Sequence, residues 1–418
     1  MSPRSLRCTR FASTAAQRSP RLASWALATA CALSLAGCST TMNTPSLSSL
    51  TSWIPSIPPP SFDWLFGKSN KPGPLPELKG EVTPQLRWQA SMPKASAGFA
   101  PAVTDGSVFV AAPDGTVARI DGTSGKTAWS VNVGRKLSAG PGADGKTVVV
   151  GTDKADVIAL DEAGKERWTA HVSSEVVAPP QVTDTVVLVF SNDGRIYGLA
   201  PADGKTKWVY QRTNPPLIVR NTAGGVVRRG ALFIGTSGGH LLAIDSDNGT
   251  VGWDVTVSVP KGATELERIA DVTSLPLVDD KTACAAAYQG HVACFEIVRG
   301  NIIWSRDLSS LAGLTADDRN VYLTDDRGNV HALDRSNGAS VWKQDVLAQR
   351  RVGGPQIIGP YVGVVDVEGY LHLLSRDDGR YVGRLATDGS APTAQPARLG
   401  DGIVWQSDRG GVFAVGAK

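Results

Sequence analysis

The sequence predicts an all-β chain folded as an eight-bladed β-propeller with four-stranded blades, closed by an N-terminal strand that completes the last blade. Three observations predict it. A pattern Gly-x-(Val/Leu/Ile)-x-x-(Leu/Ile)-Asp-x-x-x-Gly-x-x-x-Trp recurs about every 40 residues, the length of one four-stranded blade. Each copy reads as strand, turn, strand, turn, strand. The eighth copy lacks an outer strand, whereas an orphan outer strand precedes the first.

The first copy carries Gly115, Val117, Ile120, Asp121, Gly125 and Trp129. The others centre on Leu160–Trp168, Leu199–Trp208, Ile244–Trp253, Phe295–Trp304 and Leu333–Trp342. The seventh, Gly369 to Gly379, has Gly383 where the Trp belongs, and the eighth is Gly410, Val412, Val415. In the first copy the strands are expected at Ser107–Ala112, Thr116–Asp121 and Thr127–Val133, with an innermost strand from Ala100-Pro101-Ala102-Val103. The Asp ends a strand and bonds amides in the turn. The Gly supplies a positive φ, and the Trp buries its ring between blades. Leu86-Arg87-Trp88 is the orphan outer strand. Pairing it with the eighth copy closes the ring and removes two open edges.

The predicted organisation is a signal segment at 1–37, a tethered linker at 38–80 and the propeller at 81–418. Residues 1–37 hold Arg4, Arg7, Arg10, Arg18 and Arg21 and no acidic residue, followed by an apolar run from Ala23 to Ala36. That is the layout of a secretory signal. Without it the chain has 37 basic and 39 acidic side chains, or −2 in place of +3, so no charge excess points to nucleic acid. Leu35-Ala36-Gly37-Cys38 resembles the lipobox of bacterial lipoproteins, which implies cleavage before Cys38 and acylation of its thiol. Several acyl chains make a stable anchor. Ser39, in place of Asp, implies the outer membrane. The linker is rich in Pro and Ser and reads as semi-extended. Trp53, Phe62, Trp64, Leu65 and Phe66 are unusually apolar for a linker. They fit a membrane surface, a partner, or a short turn packed on the propeller.

The repeat resembles the tryptophan-docking repeat of the pyrroloquinoline-quinone propellers, over about residues 80–418. One branch is the quinoprotein dehydrogenases, which implies a periplasmic enzyme. Many of those stack their cofactor on a vicinal Cys-Cys ring, which is absent here, and they carry long insertions. The other branch is the BamB lipoproteins of the outer-membrane β-barrel assembly machinery. That resemblance implies a non-enzymatic scaffold with no cofactor, lipid-anchored at the outer membrane and facing the periplasm.

Repeat glycines lie 38 to 41 residues apart except for 45 between Gly194 and Gly239 and 51 between Gly239 and Gly290. Both insertions fall between an outer strand and the next innermost strand, so they emerge side by side on one face. Enlarged neighbouring loops on a rigid scaffold are a binding site in expectation. In BamB proteins the first such loop reads Leu-x-Leu-Arg and the next carries Arg-Leu-Ser-Asp. Together they engage a POTRA domain of the barrel subunit BamA. The resemblance assigns Leu217, Val219 and Arg220 to the first motif and Arg268 and Asp271 to the second, with Ile269, Ala270 and Thr273 as departures. Exposed blade edges are further expected to offer β-augmentation to unfolded outer-membrane protein substrates.

Of the remaining residues, His331 and His372 occupy equivalent positions in successive blades and point the same way round the ring, so no metal site is expected. Cys284 and Cys294 flank a hairpin turn. A three-residue turn places them opposite each other, within reach of a disulfide; a two-residue turn places them on opposite faces.

Overall fold

The computed structural model describes residues 72–78, 80–220 and 222–417. The predicted signal segment, Cys38 and the aromatic stretch 53–66 lie outside the described residues. The described chain forms eight antiparallel sheets of four strands each. In blade 1 the strands run from the axis outward as Ala102–Thr104, Ser107–Ala111, Thr116–Asp121 and Thr127–Asn132. The second and fourth of these end one residue earlier than the sequence pattern predicts. Innermost strands of successive blades touch in chain order, and blade 1 touches blade 8, so the ring is closed.

The burial pattern follows from this geometry. The second strand of blade 1 is buried at every residue, because a neighbouring blade covers each face. Its sequence, Ser-Val-Phe-Val-Ala, is accordingly a near-continuous apolar run. The outermost strand meets solvent and shows alternating exposure. The core is therefore divided among the junctions. Val149, Val157 and Trp168 of blade 2, for example, pack with Val187, Val189 and Tyr197 of blade 3.

Seven of the eight junctions are pinned by the repeat Trp. Trp88, Trp129, Trp168, Trp208, Trp253, Trp304 and Trp342 each donate Nε1–H to a carbonyl of the following blade, at 2.7 to 3.1 Å. The acceptor is always the residue after the repeat Asp or its substitute, as with Gly122 after Asp121. Asp121 Oδ1 in turn accepts from the backbone N–H of Thr123 and Ser124. The repeat Gly is needed twice over. Gly204 has φ +72°, and a Cβ there would lie 2.5 Å from the Trp168 ring.

Gln85–Ser91 pairs antiparallel with Gly411–Gly416 as the outer strand of blade 8, and Trp88 docks on blade 1. The predicted closure is thus present. The blade 7 to blade 8 junction differs from the rest. Blade 8 has no Asp-x-x-x-Gly turn between its third and fourth strands, because those strands are not consecutive in the chain. A Trp on blade 7 would have nothing to dock on. Gly383 stands there instead, and Val82 bridges to it, donating N–H to Val382 O at 3.0 Å. Val82 packs against the apolar cluster that contains Val382, Ile403 and Trp405, in the place of the missing ring.

Cys284 and Cys294 are directly opposed, 4.0 Å apart at Cα, and form a disulfide. Ala287 N–H bonds His291 O, so the turn is the three-residue form, Tyr288-Gln289-Gly290.

Candidate docking surface

In a four-stranded meander the connections between blades and the hairpins between second and third strands share one face. Three successive connections on that face, after blades 2, 3 and 4, are tied together. Arg220, in the second, forms a two-pronged ion pair with Glu175 in the first, at 2.8 and 3.1 Å. Asp271, in the third, accepts Val219 N–H at 2.6 Å and Gly238 N–H at 2.8 Å. Below them Arg212 and His240 converge on Asp254 at 2.7 and 2.6 Å. Burial pushes the Asp254 carboxyl up, but the bonds from Arg212 and His240 outweigh it and hold the group below its ordinary range.

The loop after blade 4 is built by a capping box, a reciprocal pairing of two side chains with backbone amides. Glu267 accepts from the N–H groups of Ala263 and Thr264, and Thr264 Oγ1 accepts from Glu267 N–H. Those amides hold the Glu267 carboxyl below the usual carboxylate range. Arg268 donates Nε–H to Gly262 O and lies 3.6 Å from Glu265. Tyr288, in the disulfide-bonded hairpin, donates N–H to Asp271 O at 2.9 Å.

The predicted site residues separate into two kinds. Leu217 is 44 % exposed, Arg220 and Arg268 are exposed, and Val219 is half-buried. Asp271 is 2 % exposed, with Ile269 and Ala270 buried around it. Its carboxylate is turned inward and accepts from two backbone amides. It joins the connection after blade 4 to the one after blade 3 and to the hairpin at Gly238. Two further residues complete the surface. Leu266 is 64 % exposed beside Arg268, and Glu175 aims Arg220. Leu266 was visible in the insertion as an apolar residue among charges. Glu175 carried no such signal, lying 45 residues from Arg220 in a different connection. Beneath Ile218 and Val219 an apolar cavity of about 90 Å³ opens onto Phe190, Ile196, Tyr210 and Ile234.

His331 meets Asp325 at 2.9 Å and His372 meets Asp366 at 2.8 Å, each within its own blade. No group of three His, Cys, Asp or Glu among the described residues is arranged to hold a metal. The axial mouth on the loop face encloses about 630 Å³, with Ser274, Leu275, Leu311 and Gln395 in its wall and Arg398 as its charged group. That lining offers no carboxylate to hold the calcium ion that would accompany a pyrroloquinoline quinone.

The family model described as outer membrane protein assembly factor BamB matches residues 81–134 and 113–344. The outer membrane protein assembly factor BamB of Bordetella pertussis is 40 % identical over 349 residues, covering 83 % of this chain and 90 % of its own. The chain belongs to the BamB family. The crystal structure of BamB from Moraxella catarrhalis superposes with a TM-score of 0.74 at 27 % identity, covering 80 % of this chain and all of that one. The quinohemoprotein alcohol dehydrogenase of Comamonas testosteroni shares the propeller, with a TM-score of 0.62 over 80 % of this chain and 76 % of its own. At 13 % identity that likeness shows the fold alone. The BamB match spans the connections that carry Leu217, Arg220 and Arg268.

Proposed function

We propose that the chain is a non-enzymatic scaffold of the outer-membrane β-barrel assembly complex. It is anchored in the outer membrane through Cys38 with the propeller in the periplasm, and it binds the POTRA domains of the barrel subunit BamA. Leu217, Val219, Arg220 and Arg268 supply the contact, and Asp271 positions it. The observation that carries this reading is the linked pair of enlarged loops. They present Leu217 and Leu266 beside two arginines, on backbone already fixed by the Asp271 carboxylate, the Arg220–Glu175 pair and the Thr264–Glu267 box. An exposed apolar residue next to an Arg, held rigid before binding, is the composition of an interface anchor. A scaffold of this kind raises the partner's effective concentration by sharing its membrane. Ile302 and Ile303, exposed on the outer strand of blade 5, support a second contact with extended substrate strands.

Affinity purification from solubilised outer membranes tests the scaffold role. The barrel subunit co-purifies with the parent chain, and a Cys38→Ser variant takes up no palmitate and leaves the membrane fraction. Purification without the barrel subunit contradicts the proposal.

A further inference from the structure

Residues 72–76 read Pro-Gly-Pro-Leu-Pro, a linker by composition, yet they are bonded to the propeller. Gly73 donates N–H to Gln349 O at 2.9 Å, and its carbonyl accepts from Arg350 Nη1 at 2.5 Å. Three residues on, the Pro76 carbonyl accepts from Arg384 Nη1 at 3.3 Å. The two guanidinium groups flank one ring, each with its carbon 5.7 Å from the centroid of Tyr370. Exposure along the segment repeats every three residues, with Pro74 and Glu77 exposed and the residues between them half-buried.

A polyproline II helix has three residues per turn and makes no internal hydrogen bonds. Carbonyls three apart therefore fall on one face and remain free to accept. An aromatic ring with donors spaced to read such carbonyls is the usual receptor for this conformation. We infer that blade 7 carries a groove for proline-rich segments, made by Tyr370 between Arg350 and Arg384, and that the chain fills it with its own residues 72–76.

The groove is built rather than incidental. The Arg350 side chain is only 3 % exposed and is held by Asp366 at 2.7 and 2.9 Å and by Glu368 at 2.5 Å. Asp366 also accepts from the N–H groups of Glu368 and Tyr370 and meets His372 at 2.8 Å. The other His372 nitrogen meets Tyr381 OH at 3.1 Å. Burying such a network is costly in desolvation, and its return is a fixed geometry. That geometry aims Arg350 Nη1 at the Gly73 carbonyl. Gln349 and Arg350 lie in the connection between blades 6 and 7, on the face that carries the docking loops. The segment leading toward the N-terminus is thus captured on the docking face, and among the described residues the propeller's hold on it begins at Gly73, ahead of the strand at Trp88.

Hydrogen exchange on the full chain, read at the Gly73 amide by mass spectrometry on overlapping peptides that begin upstream of residue 72, tests this. Arg384→Met and a triple Pro72→Ala, Pro74→Ala, Pro76→Ala variant should each speed exchange there by about tenfold or more, with the blade strands unchanged. Arg350→Met should act more strongly, but it strands Asp366 and is interpreted only if its circular dichroism matches the parent. Parent-like exchange in the triple variant shows that the proline-rich form is not what the groove reads. Parent-like exchange in Arg384→Met removes the groove itself. Neither result depends on what the loops at 217–220 and 262–271 bind.

Discussion

Seven of the eight blade junctions are joined in one way and the eighth in another. At the seven, a Trp on one blade donates to the carbonyl after the repeat Asp, or its substitute, of the next, under a glycine that leaves room for its ring. Between blades 7 and 8, Gly383 leaves room for the backbone of Val82 instead, and a Cβ there would lie 2.7 Å from Val82 O. The difference teaches that the Trp belongs to a pair. It needs a receiving turn, and a blade whose last strand comes from elsewhere in the chain has none. Residues 80–91 therefore close the ring twice, as the outer strand of blade 8 and as the substitute for a docked ring.

Removal of the double clasp should do the most damage. Deleting residues 81–92 should abolish the cooperative thermal transition followed by circular dichroism, and a truncated chain that melts like the parent would overturn the closure. Next is a single ring. Trp168→Ala should cost about 3–5 kcal/mol in chemical denaturation, against about 1 kcal/mol for Val82→Ala, which trims a half-buried side chain. Equal costs would mean that the two kinds of junction are equally strong. Restoring the repeat residue should harm rather than help: Gly383→Trp forces a ring into the space of Val82 and should cost about 1–3 kcal/mol. The smallest effect has the opposite sign. Ala155 holds φ +67° where most blades have a glycine, so Ala155→Gly should stabilise by up to about 1 kcal/mol. A destabilised variant would show that Ala155 is not strained.

The blades were legible in the sequence because most repeat the same local chemistry, an Asp-capped turn, a left-handed glycine and a docking ring. The orphan strand at Trp88 was legible for the same reason. What escaped depended on tertiary surroundings. Asp271 reads as a surface residue, since an acid in a charged insertion usually is one, and only the folded loops show the amides that occupy it. The Cys284–Cys294 bond rested on a turn length that Gln289-Gly290 leaves open. Pro72–Pro76 reads as a linker, because a free and a docked polyproline segment have one composition and the docking residues Arg350, Tyr370 and Arg384 lie about 280 to 310 residues away. Leu217 and Arg220 came from the resemblance and loop length together, and their exposure agrees with a contact role.

Calorimetric titration of the chain without residues 1–38 against the isolated POTRA domains of the barrel subunit tests the proposed docking surface. Leu217→Ala and Arg220→Glu should each weaken binding at least about tenfold, a loss of about 1.4 kcal/mol or more, while the melting temperature stays that of the parent. Parent-like affinity in both variants would contradict the account.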